Sequence, residues 1–230
     1  MTYFDVKHKF SIITLGVPDI GLNIAKELLK NGVKGVALIG PKLPSKSLQD
    51  IEETYGPSNV VSIEANLADI NQFEAAIKKS LEIFKHLDIL VNTADWSDSD
   101  QMKHTLNSLI LGFEKYLPTK KSGTQAVLIN ILSTAQGEVN NNSKSLLYGL
   151  THSWGTKDSY GSSDEVKVLG LYVEKHAVRQ RVEQCAISAV EVLEKSKSRV
   201  LWILEGQVPV EFVLPERHPN AEQKWWFNSK

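Results

Sequence analysis

Several features that mark specialised classes of protein are scarce in this sequence. Its 230 residues include one cysteine, Cys185, which excludes an intrachain disulfide and a cysteine-rich metal site. The first residues are polar, and the apolar run that follows them, SIITLGV, is far shorter than the roughly 20 residues of a spanning helix. We therefore expect a cytoplasmic protein without a membrane segment. Cys185 lies on an apolar helical face, VEQCAISAVEVL, and is expected in the core.

An excess of charge of one sign is also lacking. The chain has 26 Lys and Arg against 27 Asp and Glu, a formal net charge of −1. No basic stripe of the kind that follows a phosphate backbone is present, so nucleic acid is not an expected partner. The six histidines are scattered without the spacing of metal ligands, and we expect no metal site.

Short β-branched apolar runs alternate with longer segments of helical periodicity. Strands are predicted at 10–16, 35–40, 59–65, 88–94, 124–132, 166–173 and 199–204. Helices are predicted at 20–32, which Gly32 closes, and at 71–84, 99–116, 143–154 and 176–196. Continuous apolar strands separated by helices are typical of a parallel sheet covered on both faces. The sequence therefore predicts a doubly wound α/β fold.

Proline-rich and polar segments complete the chain. The stretch after the second strand, with Pro41, Pro44 and Pro57, is predicted to be a loop, as is 157–165. We expect residues 1–204 to form one domain and residues 205–230, which contain three prolines, to form a tail on its surface. The pair Trp225–Trp226 in this tail would either cover the domain or anchor an interface.

Four stretches, in their order and spacing, resemble motifs of the short-chain dehydrogenases/reductases. They are G-x-x-D-I-G-L-N-I-A-K-E-L-L after the first strand, L-V-N-T-A at the fourth, I-L-S-T at the fifth and S-K-S-L-L-Y-G-L-T-H-S in the helix that follows. The resemblance covers roughly residues 8–204 and is greatest to the branch of insect alcohol dehydrogenase and 15-hydroxyprostaglandin dehydrogenase. It implies a Rossmann-like domain, NAD or NADP as cofactor and a catalytic Asn-Ser-Tyr-Lys set.

The turn from the first strand to the first helix is where the resemblance places the cofactor pyrophosphate. Gly16, Ile20 and Gly21 match the family, whereas Asp19, preceded by Pro18, replaces the middle glycine. Two interpretations are open. Asp19 caps the helix, or the turn still holds a dinucleotide although a carboxylate beside a phosphate costs on the order of 1–4 kcal/mol.

The implied ribose and adenine contacts are altered as well. An acid is expected about 20 residues beyond the glycines, but the second strand ends in Gly40. Two interpretations of Lys42 are open: it faces the 2′-phosphate of NADP, or it is a solvated charge in a loop. Asn66 stands where the family has an aspartate that contacts adenine, and Asn92 and Ala94 match the motif at the fourth strand. Asp95 follows directly and adds a negative charge near the expected cofactor channel.

The catalytic set implied by the resemblance is incomplete. Ser133 and Lys144 match the serine and the lysine, but Asn140 stands four residues before Lys144, where the tyrosine would be. Asparagine does not titrate usefully and cannot act as the general acid/base. Tyr148, four residues after Lys144, is a candidate substitute on the same helical face.

Other alignments do not recover the missing groups. An alternative that uses Lys157 puts Ser153 at the tyrosine position. Leu109 stands where the family has its catalytic asparagine, with Asn107 available if the register slips. Residues 173–176 run directly into the next helix, which predicts a shortened substrate lid.

Two functions remain from these patterns. The first is a family member that has lost catalysis, serves as a binding, storage or structural protein and self-associates, for example as a dimer. The second is an NAD(P)-dependent oxidoreductase that acts on a small alcohol or ketone through a displaced tyrosine such as Tyr148.

Overall fold

Strands and helices alternate in the computed structural model, which describes residues 4–43, 45–95, 99–118, 125–133, 141–154, 166–173, 182–204 and 208–212. The strands are β1 Phe10–Thr14, β2 Gly35–Gly40, β3 Val60–Glu64, β4 Ile89–Asp95, β5 Ala126–Ser133, β6 Val166–Val173, β7 Val200–Leu204 and β8 Val210–Phe212. The α-helices are α1 Pro18–Lys30, α2 Ser45–Tyr55, α3 Ile70–Phe84, α4 Ser99–Leu109, α5 Asn141–Trp154 and α6 Val182–Lys195. A π-helix, Ile110–Tyr116, continues α4.

The strands form one sheet in the order β3-β2-β1-β4-β5-β6-β7-β8. All neighbours run parallel except β8, which is antiparallel to β7. The predicted doubly wound α/β fold is confirmed. Because the chain reverses its direction of winding between β1 and β4, the carboxyl ends of these two strands border the crevice where such sheets place their ligands.

Both faces of the sheet are covered, as the continuous apolar strands predict. Every residue of β2, β5 and β6 is buried. One face packs against α1, α2 and α6, and the other packs against α3 and the π-helix after α4, with α5 over β5 to β7. Cys185 on α6 is 1% exposed, and burial raises the pKa of its thiol to about 12. Its predicted place in the core is confirmed.

The end of α1 shows how a short sequence signal sets an element boundary. Gly32 has a φ of 92°, which favours glycine. Its N–H donates to the carbonyl of Leu29, and the N–H of Val33 donates to the carbonyl of Leu28, both at 3.0 Å. This is a Schellman motif, and the predicted closing glycine is confirmed.

Two sequence-based predictions of secondary structure are wrong. The predicted loop after β2 contains α2, whose polar sequence buries only Leu48 and Ile51 and therefore has a weak periodic signal. The helix predicted at 99–116 is α-helical only to Leu109. In the π-helix, Gly112 lies so close to the sheet that a Cβ there would be 2.9 Å from Leu128 Cδ1.

The C-terminal part of the described chain extends the sheet. Residues Val210–Phe212, within the segment predicted as a surface tail, form β8 and pair with β7. The tryptophan pair of the tail, the loop predicted at 157–165 and residues 174–176 of the predicted shortened lid lie outside the described residues. Among the described helices, none is long and apolar enough to cross a membrane.

Candidate functional site

The crevice between β1 and β4 is closed at its base by two threonines. Thr93 Oγ donates to the carbonyl of Thr14 at 2.6 Å, and the N–H of Thr93 donates to Thr14 Oγ at 3.1 Å. Thr93 Oγ also accepts from the N–H of Val17 at 3.1 Å. A backbone donor of the β1–α1 turn is therefore already bound within the protein.

Asn92 lies in the sheet interior rather than at the rim of the crevice. Its side chain is buried and makes four hydrogen bonds. Asn92 Oδ1 accepts from Thr14 Oγ and Ser108 Oγ, both at 3.1 Å. Asn92 Nδ2 donates to Thr105 Oγ at 3.3 Å and to Asn130 Oδ1 at 3.0 Å. Because this is the full hydrogen-bonding capacity of an amide, Asn92 links β1, β4, β5 and α4.

The start of α1 corrects the prediction that Asp19 caps the helix. The N-cap is Val17, which makes no side-chain cap, and Pro18 is the first helical residue. Proline favours this position because it lacks the N–H that a cap would have to satisfy. Asp19 is exposed in the first turn, where its charge interacts favourably with the helix dipole. Ile20, also predicted at the cofactor site, is buried in the core.

Leu15 fills the space between the start of α1 and the end of β2. Its side chain is 1% exposed. A Cβ added to Gly21 would lie 2.6 Å from Leu15 Cδ2, and a Cβ added to Gly40 would lie 2.9 Å from Leu15 Cβ. Gly21 therefore permits close packing of α1, and Gly40 leaves room for Leu15. Gly16, which follows, is partly exposed.

Asn66 shapes the loop after β3. Its Oδ1 accepts from the N–H of Ala68 at 3.0 Å, and its own N–H donates to Gln72 Oε1 at 3.2 Å. The side chain is exposed, so its Nδ2 remains available to a ligand. Ala94, predicted to contact the cofactor, is 1% exposed near the end of β4.

Ser133 is the last residue of β5 and is fully buried. It pairs in register with Asp95 of β4 and Val173 of β6. Its hydroxyl has no hydrogen-bond partner within the described part of the chain. Lys144 lies in the first turn of α5, but its side chain is outside the described structure, as is Asn140.

Tyr148 belongs to an aromatic cluster at the margin of the sheet. Its ring stacks on His152 at 5.7 Å and meets Phe212 of β8 edge-on at 5.8 Å. On the same helix Thr151 faces the sheet, since a Cβ on Gly170 would lie 2.7 Å from Thr151 Oγ. These contacts place Tyr148 in packing against the margin of the sheet.

The positions considered for the catalytic asparagine have structural roles. Leu109 is fully buried where α4 becomes the π-helix. Asn107 Nδ2 donates to the carbonyls of Leu67 and Ala68 at 3.0 and 3.1 Å. Asn107 therefore ties α4 to the loop after β3.

Sequence reasoning missed the residues that close this region. Leu15 extends an apolar run and is indistinguishable from a strand residue in the sequence. Thr105 and Ser108 are ordinary polar residues of a helix until the fold places them against Asn92.

No group of three or more metal-binding side chains is found among the residues that the structure describes.

Comparisons with known proteins agree with this architecture. The sequence profile of the short chain dehydrogenase family matches residues 9–149. The 15-hydroxyprostaglandin dehydrogenase [NAD(+)] of Rattus norvegicus is 29% identical over 140 residues, which are 56% of this chain and 52% of the relative. A 3alpha-hydroxysteroid dehydrogenase of Mediterraneibacter gnavus is 32% identical over 96 residues, 41% of this chain and 38% of the relative. The chain thus spans about half the length of the 15-hydroxyprostaglandin dehydrogenases it matches.

Solved structures share the fold over most of the chain. The NADH-dependent reductase A1-R′ complexed with NAD superposes with a TM-score of 0.67 at 20% identity, covering 89% of this chain and 98% of the reductase. The 3-ketoacyl-(acyl-carrier-protein) reductase of Brucella melitensis complexed with NADH gives 0.66 at 15% identity, covering 88% and 99%. The chain belongs to the short-chain dehydrogenase family, as its motifs predict.

Proposed function

We propose that this chain has lost the hydride transfer of its family and acts as a binding, storage or structural protein built on the family fold. The observation that carries the proposal is the packing of Tyr148. It is the one tyrosine of α5, the helix with Lys144, and its ring is held between His152 and Phe212. A general acid/base must reach the reacting atom within hydrogen-bond distance. The aromatic contacts on two sides of the Tyr148 ring support a packing role for it rather than acid/base catalysis.

The cofactor side of the crevice supports the same proposal. One amide donor of the β1–α1 turn is bound by Thr93, and Pro18 has no N–H to offer. The exposed carboxylate of Asp19 opposes a phosphate at the same helix end. Gly40 has no side chain that could accept a hydrogen bond from a ribose hydroxyl. The residues at this edge therefore fit a nicotinamide dinucleotide poorly.

A titration with NAD, NADH, NADP and NADPH tests the proposal. The titration is monitored by calorimetry and by the fluorescence of the five tryptophans. We expect no saturable binding up to millimolar concentration. Saturation at micromolar concentration of any of the four would contradict the proposal and would direct a substrate screen to the protein.

The alternative is an NAD(P)-dependent oxidoreductase acting on a small alcohol or ketone. Its support is the family itself, with Ser133 at the end of β5 and Lys144 at the start of α5. If the alternative holds, Tyr148→Phe abolishes turnover and leaves the thermal midpoint of unfolding nearly unchanged. Turnover that survives this substitution would remove Tyr148 from the mechanism.

The proposal includes self-association through α4. Met102, Leu106 and Ile110 are 38–40% exposed and recur every four residues, so they form one apolar stripe. An antiparallel arrangement with the same stripe of a second copy would cover the three apolar side chains in both copies, and a twofold axis would generate the contact twice.

Replacing Leu106 by glutamate is expected to shift the protein from dimer to monomer, because a charge would be buried in the contact. Sedimentation velocity measures the change. The matched control is Ile83→Glu, since Ile83 is an equally apolar residue that is 49% exposed on α3. The stripe is not the interface if the wild type is monomeric or if both variants change the mass alike.

A further inference from the structure

The position of Leu15 is fixed by the backbone as well as by packing. Its N–H donates to the carbonyl of Ile39 at 2.7 Å, which extends the pairing of β1 with β2 by one residue. The side chain is buried in the core that covers α1. Leu15 therefore cannot move away from the end of β2 without breaking a strand hydrogen bond.

Residues 15 and 40 compete for the same space. A Cβ on residue 40 would be 2.9 Å from Leu15 Cβ and 3.5 Å from the Leu15 carbonyl oxygen. Carbon atoms in contact prefer about 3.5–4.0 Å. Because Leu15 Cβ is attached directly to the backbone, no change of side-chain rotamer relieves this overlap. Gly40 itself lacks a positive φ, so its backbone conformation does not require glycine.

A side chain on residue 21 would overlap the end of the Leu15 side chain rather than its Cβ. A Cβ on Gly21 would be 2.6 Å from Leu15 Cδ2, the far end of the side chain, and 3.4 Å from the carbonyl oxygen of Thr14. Shortening Leu15 to alanine would remove the first overlap. The contact with Gly21 therefore depends on the size of residue 15, whereas the contact with Gly40 depends only on the presence of a Cβ.

We infer that Leu15 is the residue that excludes an acidic anchor for the adenosine ribose from the end of β2, because positions 15 and 40 cannot both have a side chain. An acid at the end of the second strand recognises the ribose 2′-hydroxyl of NAD in dinucleotide-binding folds. In this chain residue 15 has a large side chain and residue 40 has none. The inference deepens the proposed function, on which it rests, by naming what blocks the nucleotide.

The decisive variant exchanges the two positions, as Leu15→Gly with Gly40→Asp. We expect it to bind NAD with a dissociation constant about tenfold to a hundredfold below the millimolar limit at which the wild type does not saturate, a gain in the range of a hydrogen bond to a charged group. Affinity for NADP should not rise, because a carboxylate repels a 2′-phosphate. Calorimetric titration with NAD and NADP measures both.

The matched control is Leu15→Ala with Gly40→Asp. It shortens residue 15 but keeps its Cβ, so the overlap with residue 40 persists and NAD affinity should stay at the wild-type level. An equal gain in both double variants, or no gain in a folded Leu15→Gly, Gly40→Asp protein, would overturn the inference.

A thermal measurement decides the case if the exchanged variant does not fold. Gly40→Ala should lower the midpoint of unfolding of the wild type by several degrees and that of Leu15→Gly by clearly less, since the overlapping Cβ is gone. Equal losses in the two backgrounds would show that Leu15 does not restrict position 40 and would overturn the inference.

Failure of the inference and failure of the proposed function give different results. Micromolar binding of NAD by the wild type contradicts the proposed function, whatever the variants do. A wild type that does not bind NAD, together with a folded exchanged variant that gains nothing, leaves the proposed function intact and removes the role of Leu15.

Discussion

Replacing Asn92 by leucine is expected to lower the free energy of unfolding by about 3–5 kcal/mol, because the substitution leaves several buried polar groups without a partner. Asn92 satisfies Thr14, Ser108, Thr105 and Asn130 together. Leucine has a similar size, so the loss comes from hydrogen bonds rather than from a cavity. Unfolding in urea, monitored by tryptophan fluorescence, measures the change.

A second asparagine from the predicted cofactor site provides the matched control. Asn66→Ala removes one exposed hydrogen bond, to the N–H of Ala68, and should cost about 1 kcal/mol or less. The two substitutions also separate two roles. A side chain that serves mainly to contact a cofactor would be dispensable for stability. A loss below about 1 kcal/mol for Asn92→Leu would therefore contradict the interior role.

The strands could be predicted because their signal is local. The boundaries of β2 and β6 agree with the sequence to the residue, since each is a run of buried residues bounded by polar segments. α2 could not be predicted, because only Leu48 and Ile51 are buried and the prolines around it indicated a loop. α2 is stabilised by its packing against the sheet, although the periodicity of its apolar residues is too weak to predict a helix.

The start of α1 is indicated by Pro18 rather than by Asp19. Asp19 matches the general preference for an acid near a helix start, so the sequence also allows it to be a cap. Pro18 is the stronger indicator, because its fixed φ and missing N–H place it at the first helical position. The N-cap then falls on Val17, whose N–H is bound by a residue 76 positions later in the sequence, Thr93. No local pattern contains that contact.

The sequence indicates where the candidate site lies but not which side chains fill it. The motifs place Gly21 and Gly40 beside the end of β1, whereas Asn92 is buried within the sheet. The family that the motifs indicate is confirmed by the match to residues 9–149. The sequence alone cannot show that Leu15 occupies the space beside both glycines, because this depends on the register of β1 against β2. The glycine at position 40 and the leucine at position 15 are linked in this structure, because a Cβ at position 40 would lie 2.9 Å from Leu15 Cβ.

Acidification from pH 7.5 to 5.0 is expected to destabilise the protein by about 2 kcal/mol through one buried histidine, His104. The side chain is 1% exposed on α4, next to the Asn92 network and edge-on to Phe73. Burial lowers the pKa of His104 to about 3, whereas an unfolded histidine titrates near 6.5. The unfolded state therefore binds a proton that the folded state does not, and stability falls as the pH drops below about 6.5.

The interval from pH 7.5 to 5.0 separates His104 from the other groups with a perturbed pKa. Hydrogen bonds from Lys115, Tyr116 and Lys78 lower the pKa of Glu74 to about 2, so the stability it contributes is lost only as the pH falls below its ordinary value of 4.5. Burial lowers the pKa of Lys167 to about 8, and the stability linked to it changes above that pH. A loss between pH 7.5 and 5.0 is therefore assigned to a histidine.

His104→Gln should remove most of this pH dependence while keeping a polar side chain at the position. The free energy of unfolding of the variant, measured in urea at several pH values, should be nearly flat where that of the wild type declines. The matched control is His8→Asn, which removes an imidazole from an exposed turn with a positive φ that asparagine tolerates. If His104→Gln declines as steeply as the wild type, His104 is protonated in the folded protein. The closed packing of α4 over Asn92 would then be wrong, because a charged imidazole cannot remain there without water or an acid beside it.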